Sequence, residues 1–325
     1  MAIWQRLTPP QMFVGSFALL IMLGTAALQL LPGVYADKPM SWLDALFTST
    51  SAVCVTGLTV GDTAKIFTPR GQGVVLLLIQ LGGLGMLTFA SLILLALGKR
   101  LSLRTEASSI VAAESALHLE GRNITLDIVR FTLVFEAIGA IMLYALWVPK
   151  LGWKGAAWPA IFHAVSAFCN AGFSTFTDNL IGFQNSPASL IVIACLILAG
   201  GIGFLTHTEM WYAIVSWKKQ RAFRVSLQSR LVIFVTLLLT VAATPLFAVF
   251  EWNNCLTGLS IGDKLVNSLF MSITPRTAGF NAIDYGQATD SANLLTMMLM
   301  TVGGSPGSTA GGLKTTTLAI LGLMA

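Results

Sequence analysis

Long apolar stretches alternate with short ones along this chain in a regular order. The long runs lie near residues 11–31, 74–97, 127–148, 188–215, 229–250 and 291–325. A membrane-spanning helix needs roughly 20 apolar residues, so each run is long enough to cross. Between them sit shorter apolar segments near 42–53, 158–168 and 262–273. These are too short to cross and have the length of re-entrant helices. Each short segment runs into a glycine phrase: Ser51-Ala52-Val53-Cys54-Val55-Thr56-Gly57-Leu58, Ser166-Ala167-Phe168-Cys169-Asn170-Ala171-Gly172-Phe173 and Thr274-Pro275-Arg276-Thr277-Ala278-Gly279-Phe280. The pattern predicts an all-α membrane protein made of repeated helix–pore-loop–helix units, spanning 1–100, 101–217 and 218–325.

The spacing supports a repeat. Gly57 lies 25 residues before Gly82-Gly83, Gly172 lies 28 before Gly200-Gly201, and Gly279 lies 24 before Gly303-Gly304. Self-similarity at a fixed period is a mark of architecture. The plainer alternative is convergent composition, since glycine-rich helices are common in membranes.

Composition removes the soluble classes. The chain is 55% hydrophobic and 10% charged, against about 25% charged in a soluble domain. The first run is not a typical signal peptide: only Arg6 precedes it and no cleavage site is evident. Cys54, Cys169, Cys195 and Cys255 form no zinc spacing and read as free buried thiols. The net charge of +5 is not a nucleic-acid signature. Lys218, Lys219, Arg221, Arg224 and Arg230 crowd one loop, and Lys99, Arg100, Arg104, Arg122 and Arg130 another. Positive loops stay inside, which puts the N-terminus, 98–130 and 217–230 in the cytoplasm of a multi-pass inner (plasma) membrane protein. Either loop is able to meet a cytoplasmic partner, and the basic one anionic membrane lipids. Asn123-Ile124-Thr125 is a glycosylation sequon idle on the cytoplasmic side. Trp42, Trp147, Trp153, Trp158, Trp211, Trp217 and Trp252 fall near segment ends, as an interfacial belt would.

Irregular backbone at membrane depth survives where it lines a wet cavity or is buried in protein. A dehydrating cation wants a ring of carbonyl oxygens, glycine permits the backbone angles that form one, and a short helix ending there points its negative dipole end at the ion. Ser41-Trp42-Leu43-Asp44 reads as a capping box that starts the first short helix, with Asp263 in a similar place in the third. Both carboxylates read as caps in preference to ion ligands.

These residues, together with Thr8-Pro9-Pro10-Gln11, Gln80-Leu81-Gly82-Gly83-Leu84-Gly85, Gly200-Gly201-Ile202-Gly203-Phe204 and the run Gly303–Lys314, resemble the Trk/Ktr/HKT superfamily of potassium transporters over the whole chain. Trk-type subunits carry two extra helices before the first unit, so the Ktr membrane subunit is the nearer likeness. The resemblance implies units around a pseudo-fourfold pore and K+ as the transported ion, with Na+ as a candidate activator and no organic cofactor on this chain. It implies a homodimer under a cytoplasmic ring of KtrA-type subunits that bind ATP/ADP or NAD. The filter would be the backbone carbonyls of Cys54, Val55, Thr56 and Gly57; of Cys169, Asn170, Ala171 and Gly172; and of Arg276, Thr277, Ala278 and Gly279. In plant relatives serine at the first glycine goes with Na+ preference, so Gly57 favours K+. The family has four units where this chain, which stops at Ala325, shows three, and the expectation is that the chain is incomplete.

The run Gly303-Gly304-Ser305-Pro306-Gly307-Ser308-Thr309-Ala310-Gly311-Gly312-Leu313-Lys314 interrupts the last apolar stretch. Proline and glycine disfavour helix, which predicts a flexible loop under the filter, where the family has its intramembrane gate. The Gly-Gly-x-Gly patches of the other two units are expected to stay helical, leaving one broken helix. Two other readings stand. Gly303–Gly307 formally matches the G-x-S-x-G hydrolase elbow, which needs a preceding strand and a histidine; glycine breaks also mark secondary solute transporters. Lys314 reads as a charge that hinders cations, a partner of Glu136 or Glu209, or a side chain that snorkels to the interface. Arg276 is expected to point behind the filter as a brace, and His163 to be a satisfied helix residue. No covalent chemistry is expected: the chain is not an enzyme.

Overall fold

The computed structural model describes residues 9–102, 124–218 and 225–324. Thr8, Asn123 of the sequon, most of the 98–130 loop with Arg104 and Arg122, and Lys219, Arg221 and Arg224 lie outside the described residues. Eleven α-helices are described: α1 (Pro9–Leu30), α2 (Trp42–Val53), α3 (Thr63–Ile66), α4 (Pro69–Ser102), α5 (Ile124–Phe168), α6 (Pro187–Ile202), α7 (Phe204–Lys218), α8 (Leu227–Glu251), α9 (Ile261–Ile273), α10 (Asp290–Thr301) and α11 (Thr315–Met324). The segments Gln11–Leu30, Pro69–Phe89, Thr125–Phe168 and Leu227–Glu251 are long and apolar enough to cross a membrane.

The short helices match the short apolar runs because local chemistry starts and stops them. Ser41 Oγ accepts the Asp44 N–H at 3.1 Å and donates to Asp44 Oδ2 at 2.8 Å. Ser260 repeats both bonds with Asp263, at 3.2 and 2.7 Å. The two aspartates are therefore parts of N-caps, where a carboxylate also meets the positive helix end. The second short helix, 158–168, has no start of its own. It is fused to the preceding span in α5, and the join is a kink at Gly152 with φ 72° and ψ 164°, a conformation only glycine takes at low cost. Loss of a serine cap costs about 1 kcal/mol, so Ser260→Ala is expected to lower the thermal midpoint of the purified protein; an unchanged midpoint would remove that role from Ser260.

The core collects around these short helices. One cluster joins Trp147, Ala160, Ala164, Ile193, Phe270 and Phe280; another joins Leu28, Val53, Leu78, Phe168 and Phe173. Outward residues of α8, among them Phe234, Leu237, Val241 and Val249, are apolar and exposed, as a surface solvated by lipid must be. At the C-terminal end of α8 the buried Glu251 accepts the N–H and hydroxyl of Thr289 at 2.8 and 2.7 Å, which holds the start of α10.

Three expectations are corrected. The run 188–215 is not one helix: it breaks at Gly203 and bends by 102° between α6 and α7. The break in the last run is therefore one of two. Trp147 is not at an interface; it is 1% exposed and its indole donates to Ser189 Oγ at 3.0 Å. The cysteines are free but not all buried, since Cys54 and Cys195 are exposed. In the loop after α8, burial and then Glu251 push the Cys255 thiol up to about 12, so it stays protonated.

Candidate functional site

The loops after α2, α5 and α9 share one backbone. Val55 and Gly57 (φ 55° and 81°), Asn170 and Gly172 (59° and 70°), and Thr277 and Gly279 (80° and 75°) are left-handed at every second position. Left-handed valine and threonine are steric outliers and persist only where the surroundings over-determine them.

The loop N–H groups turn back to their own helices. Thr56 N–H donates to Ser51 O (2.8 Å), Ala171 N–H to Ser166 O (2.7 Å), and Ala278 and Gly279 N–H to Thr274 O (3.0 and 3.1 Å). Ser166 Oγ and Thr274 Oγ1 close the second and third turns onto the carbonyls of Phe173 and Phe280, at 2.8 and 2.7 Å. Ser51 holds the matching place in the first loop and its Oγ has no partner among the described residues. The carbonyls are left over: among the described residues no hydrogen bond ends on a carbonyl of 54–57, 169–172 or 276–279.

The three loops also meet. A Cβ on Gly57 would lie 2.7 Å from the carbonyl oxygen of Ala171, and one on Gly172 would lie 2.5 Å from that of Ala278. Each glycine is thus where one loop's backbone runs against the next loop's carbonyl. The paired glycines on the following helices serve a second close approach. A Cβ on Gly82 would overlap the carbonyl of Val53, and one on Gly200 the carbonyl of Phe168, the last residues of α2 and α5. The third pair differs, because Gly303 faces the carbonyl of Gly311 in its own loop.

Segment 303–314 is folded back on itself. Gly303 N–H donates to Leu313 O (3.0 Å), Gly304 N–H to Gly311 O (3.2 Å) and Thr315 N–H to Gly304 O (3.2 Å). It then docks on the end of α6: Ser305 N–H donates to Gly201 O (2.9 Å), Thr309 N–H to Gly200 O (3.3 Å), and Phe204 N–H to Gly307 O (3.1 Å). The sequence pattern predicted a loop without such order. The bend at Gly203 explains it, since a helix that stops there frees carbonyls of its last turn for the loop's amides. Gly203 takes φ 92°, and a Cβ there would meet Pro306 O at 2.8 Å.

Charged groups are placed as follows. Arg276 is 7% exposed and turns from its loop toward α8, with its guanidinium 3.4 Å from Thr236 O and 3.5 Å from Thr236 Oγ1. It points behind the loop, as expected. Its Nε has no partner among the described residues, and it borders a cavity of about 10 Å³ shared with Asn170, Gly201, Thr236 and Gly304, room for about one water. Lys314 does not pair with Glu136 or Glu209. Its Nζ donates to Ala310 O at 2.7 Å, while Glu136 accepts Gln80 Nε2 at 3.1 Å and Glu209 caps Ser226 N–H at 2.9 Å. The sequence reading gave Glu136 no place beside a loop, yet its Oε1 is 3.9 Å from the Cys169 thiol. The available signal was an acid, Glu136, set among apolar residues well inside a long apolar run. His163 is fully buried and bonded to Pro159 O (2.8 Å) and Ser174 Oγ (2.9 Å). Ser305 Oγ pairs with Thr315 Oγ1 at 3.0 Å and follows a helix, which is not a hydrolase elbow.

Comparison with known proteins gives consistent results. A family model described as TrkH, cation transport protein, matches residues 8–324. The potassium/sodium uptake protein NtpJ of Enterococcus hirae is 40% identical over 322 residues, covering 98% of this chain and 69% of the relative. The Ktr system potassium uptake protein B of Bacillus subtilis is 40% identical over 325 residues, covering 98% of this chain and 70% of the relative. The crystal structure of the potassium transporter TrkH from Vibrio parahaemolyticus aligns with a TM-score of 0.69 at 23% identity, over 97% of this chain and 60% of that one. The last likeness is one of fold. The chain spans 60% of that solved structure and about 70% of the two uptake proteins.

Proposed function

Because this chain belongs to the TrkH family of cation transport proteins, a family of membrane transporters and not of enzymes, we propose that it takes up potassium through a filter of backbone carbonyls. The filter is made by residues 54–57, 169–172 and 276–279, and residues 303–314 gate it. The carrying observation is the set of loop carbonyls that no donor satisfies, on loops that abut. A carbonyl that no protein donor reaches is satisfied by water or by a cation; in this reading the partner is the ion with its remaining water. The likeness to potassium uptake proteins of Ktr systems supports K+ as cargo, and the name of the Enterococcus hirae relative supports a part for Na+.

Three units, 1–100, 101–217 and 218–325, each supply one loop and one side of a pseudo-fourfold pore. The N-terminus lies in the cytoplasm of the inner membrane. The proposed functional form is a homodimer on a cytoplasmic nucleotide-binding ring; the word system in the names of two relatives supports a partner component and nothing finer. The test is growth: the complete gene product, expressed with its regulatory partner, is expected to restore a K+-uptake-deficient strain at low K+ and to carry Rb+. No rescue and no Rb+ flux would overturn the reading. The bend at Gly203 favours one other reading, a secondary solute transporter with broken helices. That reading predicts uptake driven by a coupled solute, with no independent K+ flux.

A further inference from the structure

The second filter loop and the glycine-rich loop share a side-chain hydrogen-bond chain. Asn170 Nδ2 donates to Thr309 Oγ1 at 2.9 Å, and Thr309 Oγ1 donates to the carbonyl of Phe168 at 3.2 Å. Asn170 is 1% and Thr309 2% exposed, so water does not compete for these bonds. Phe168 is the last residue of α5, and its carbonyl is the one seated on Gly200. Asn170 is also left-handed, at φ 59°. The matching left-handed residues have no such tie. Val55 carries no polar group, and Thr277 Oγ1 has no partner among the described residues.

We propose that Thr309 is a positioning residue of the filter: it holds the Asn170 side chain, and with it the carbonyls of 169–172, so that the loop controlling passage also sets the choice between cations. This rests on the proposed function. Asparagine tolerates the left-handed conformation better than most residues, but it remains an uncommon one that the surroundings must hold. Without the Thr309 hydroxyl the Asn170 amide keeps only two contacts at the 3.4 Å limit, to the carbonyls of Phe168 and Ile197. A buried donor left so poorly satisfied will seek another arrangement, and cation choice depends on how the carbonyls are arranged. When 303–314 moves, the second loop is released with it.

The test measures Rb+ and Na+ uptake in the same K+-uptake-deficient cells expressing the complete gene product. Thr309→Val keeps the shape and removes both bonds. Its Rb+ over Na+ preference is expected to fall about tenfold, the size of one to two lost hydrogen bonds. Thr309→Ser keeps the hydroxyl and is expected to keep the preference. Thr309→Ala removes the hydroxyl without added contacts, and gives the answer if the valine variant does not reach the membrane. Ser308→Ala is the loop control, because Ser308 Oγ donates to Ser305 O at 2.6 Å, within the loop; it is expected to change total flux and not the ratio. A wild-type ratio in both Thr309→Val and Thr309→Ala, or an equal loss in Thr309→Ser or Ser308→Ala, would overturn the proposal. Absence of Rb+ uptake by the unaltered protein would overturn the proposed function instead, so the two failures are distinct.

Discussion

Replacing Gly200 with alanine is expected to abolish uptake, while the same change one residue later, at Gly201, is expected to leave it intact. In an ordinary helix glycine costs about 1 kcal/mol relative to alanine, so either change should stabilise α6. Tertiary contact reverses the sign at Gly200. An added Cβ would overlap the carbonyl of Phe168 and lie 2.9 Å from Asn170 Nδ2. Neither backbone nor a buried amide gives way easily, and overpacking of this kind costs about 1–3 kcal/mol. The strain falls on the second filter loop, so transport is expected to drop more than stability. At Gly201 a Cβ would meet nothing within 4 Å, so it keeps the helix gain. The check is uptake and thermal midpoint of both variants. Equal behaviour of the two would show that the close approach of α5 to α6 does not hold the filter. Gly82→Ala is expected to follow Gly200→Ala, because Val53 meets Gly82 in the same way.

Excising residues 305–310, with Gly304 joined to Gly311, is expected to raise Rb+ uptake in the absence of the cytoplasmic partner by more than tenfold. The join is feasible because Gly304 N–H already bonds Gly311 O at 3.2 Å. The excised residues supply the docking bonds to Gly200, Gly201, Phe204 and Phe168. At about 1 kcal/mol net for each bond, the docked loop is held firmly, and under the proposed function it is the obstruction that opening must remove. Flux that is unchanged or lower would remove the gating role from 303–314. By the Thr309 argument the shortened protein should also discriminate less well, so a rise in Na+ uptake is expected along with that of Rb+.

Much of the protein was legible in the sequence. At the starts of the first and third short helices and in the three glycine loops, the reading matched the structure. Ser41 and Ser260 start α2 and α9 because a cap is a contact across three residues. The three loops share left-handed glycines because each ends a short helix in the same way. Arg276 turns from its loop to Thr236 of α8, the orientation expected if the loop lines a cation path. The errors at Gly203 and Trp147 concern residues whose neighbours lie far along the chain. Nothing near Gly203 in sequence announces a bend, because what stabilises it is the backbone of residues 305–309, about a hundred positions away. Lys314 was given carboxylate partners by charge alone, and the fold places Ala310 O in reach first. Trp147 reads as interfacial from its position near a span end, but α6 covers it through Ser189.

The sequence by itself determined the membrane character, the alternation of long and short helices, and the three glycine loops. These follow from hydrophobic length, capping and backbone freedom, which act locally. Only the tertiary structure decided that the loops abut, that glycine pairs receive carbonyls of neighbouring helices, and that 303–314 is ordered against α6 and bonded to Asn170. Those are contacts between distant segments. A glycine carries the same letter whether its missing side chain leaves open space, as at Gly201, or makes room for another backbone, as at Gly200.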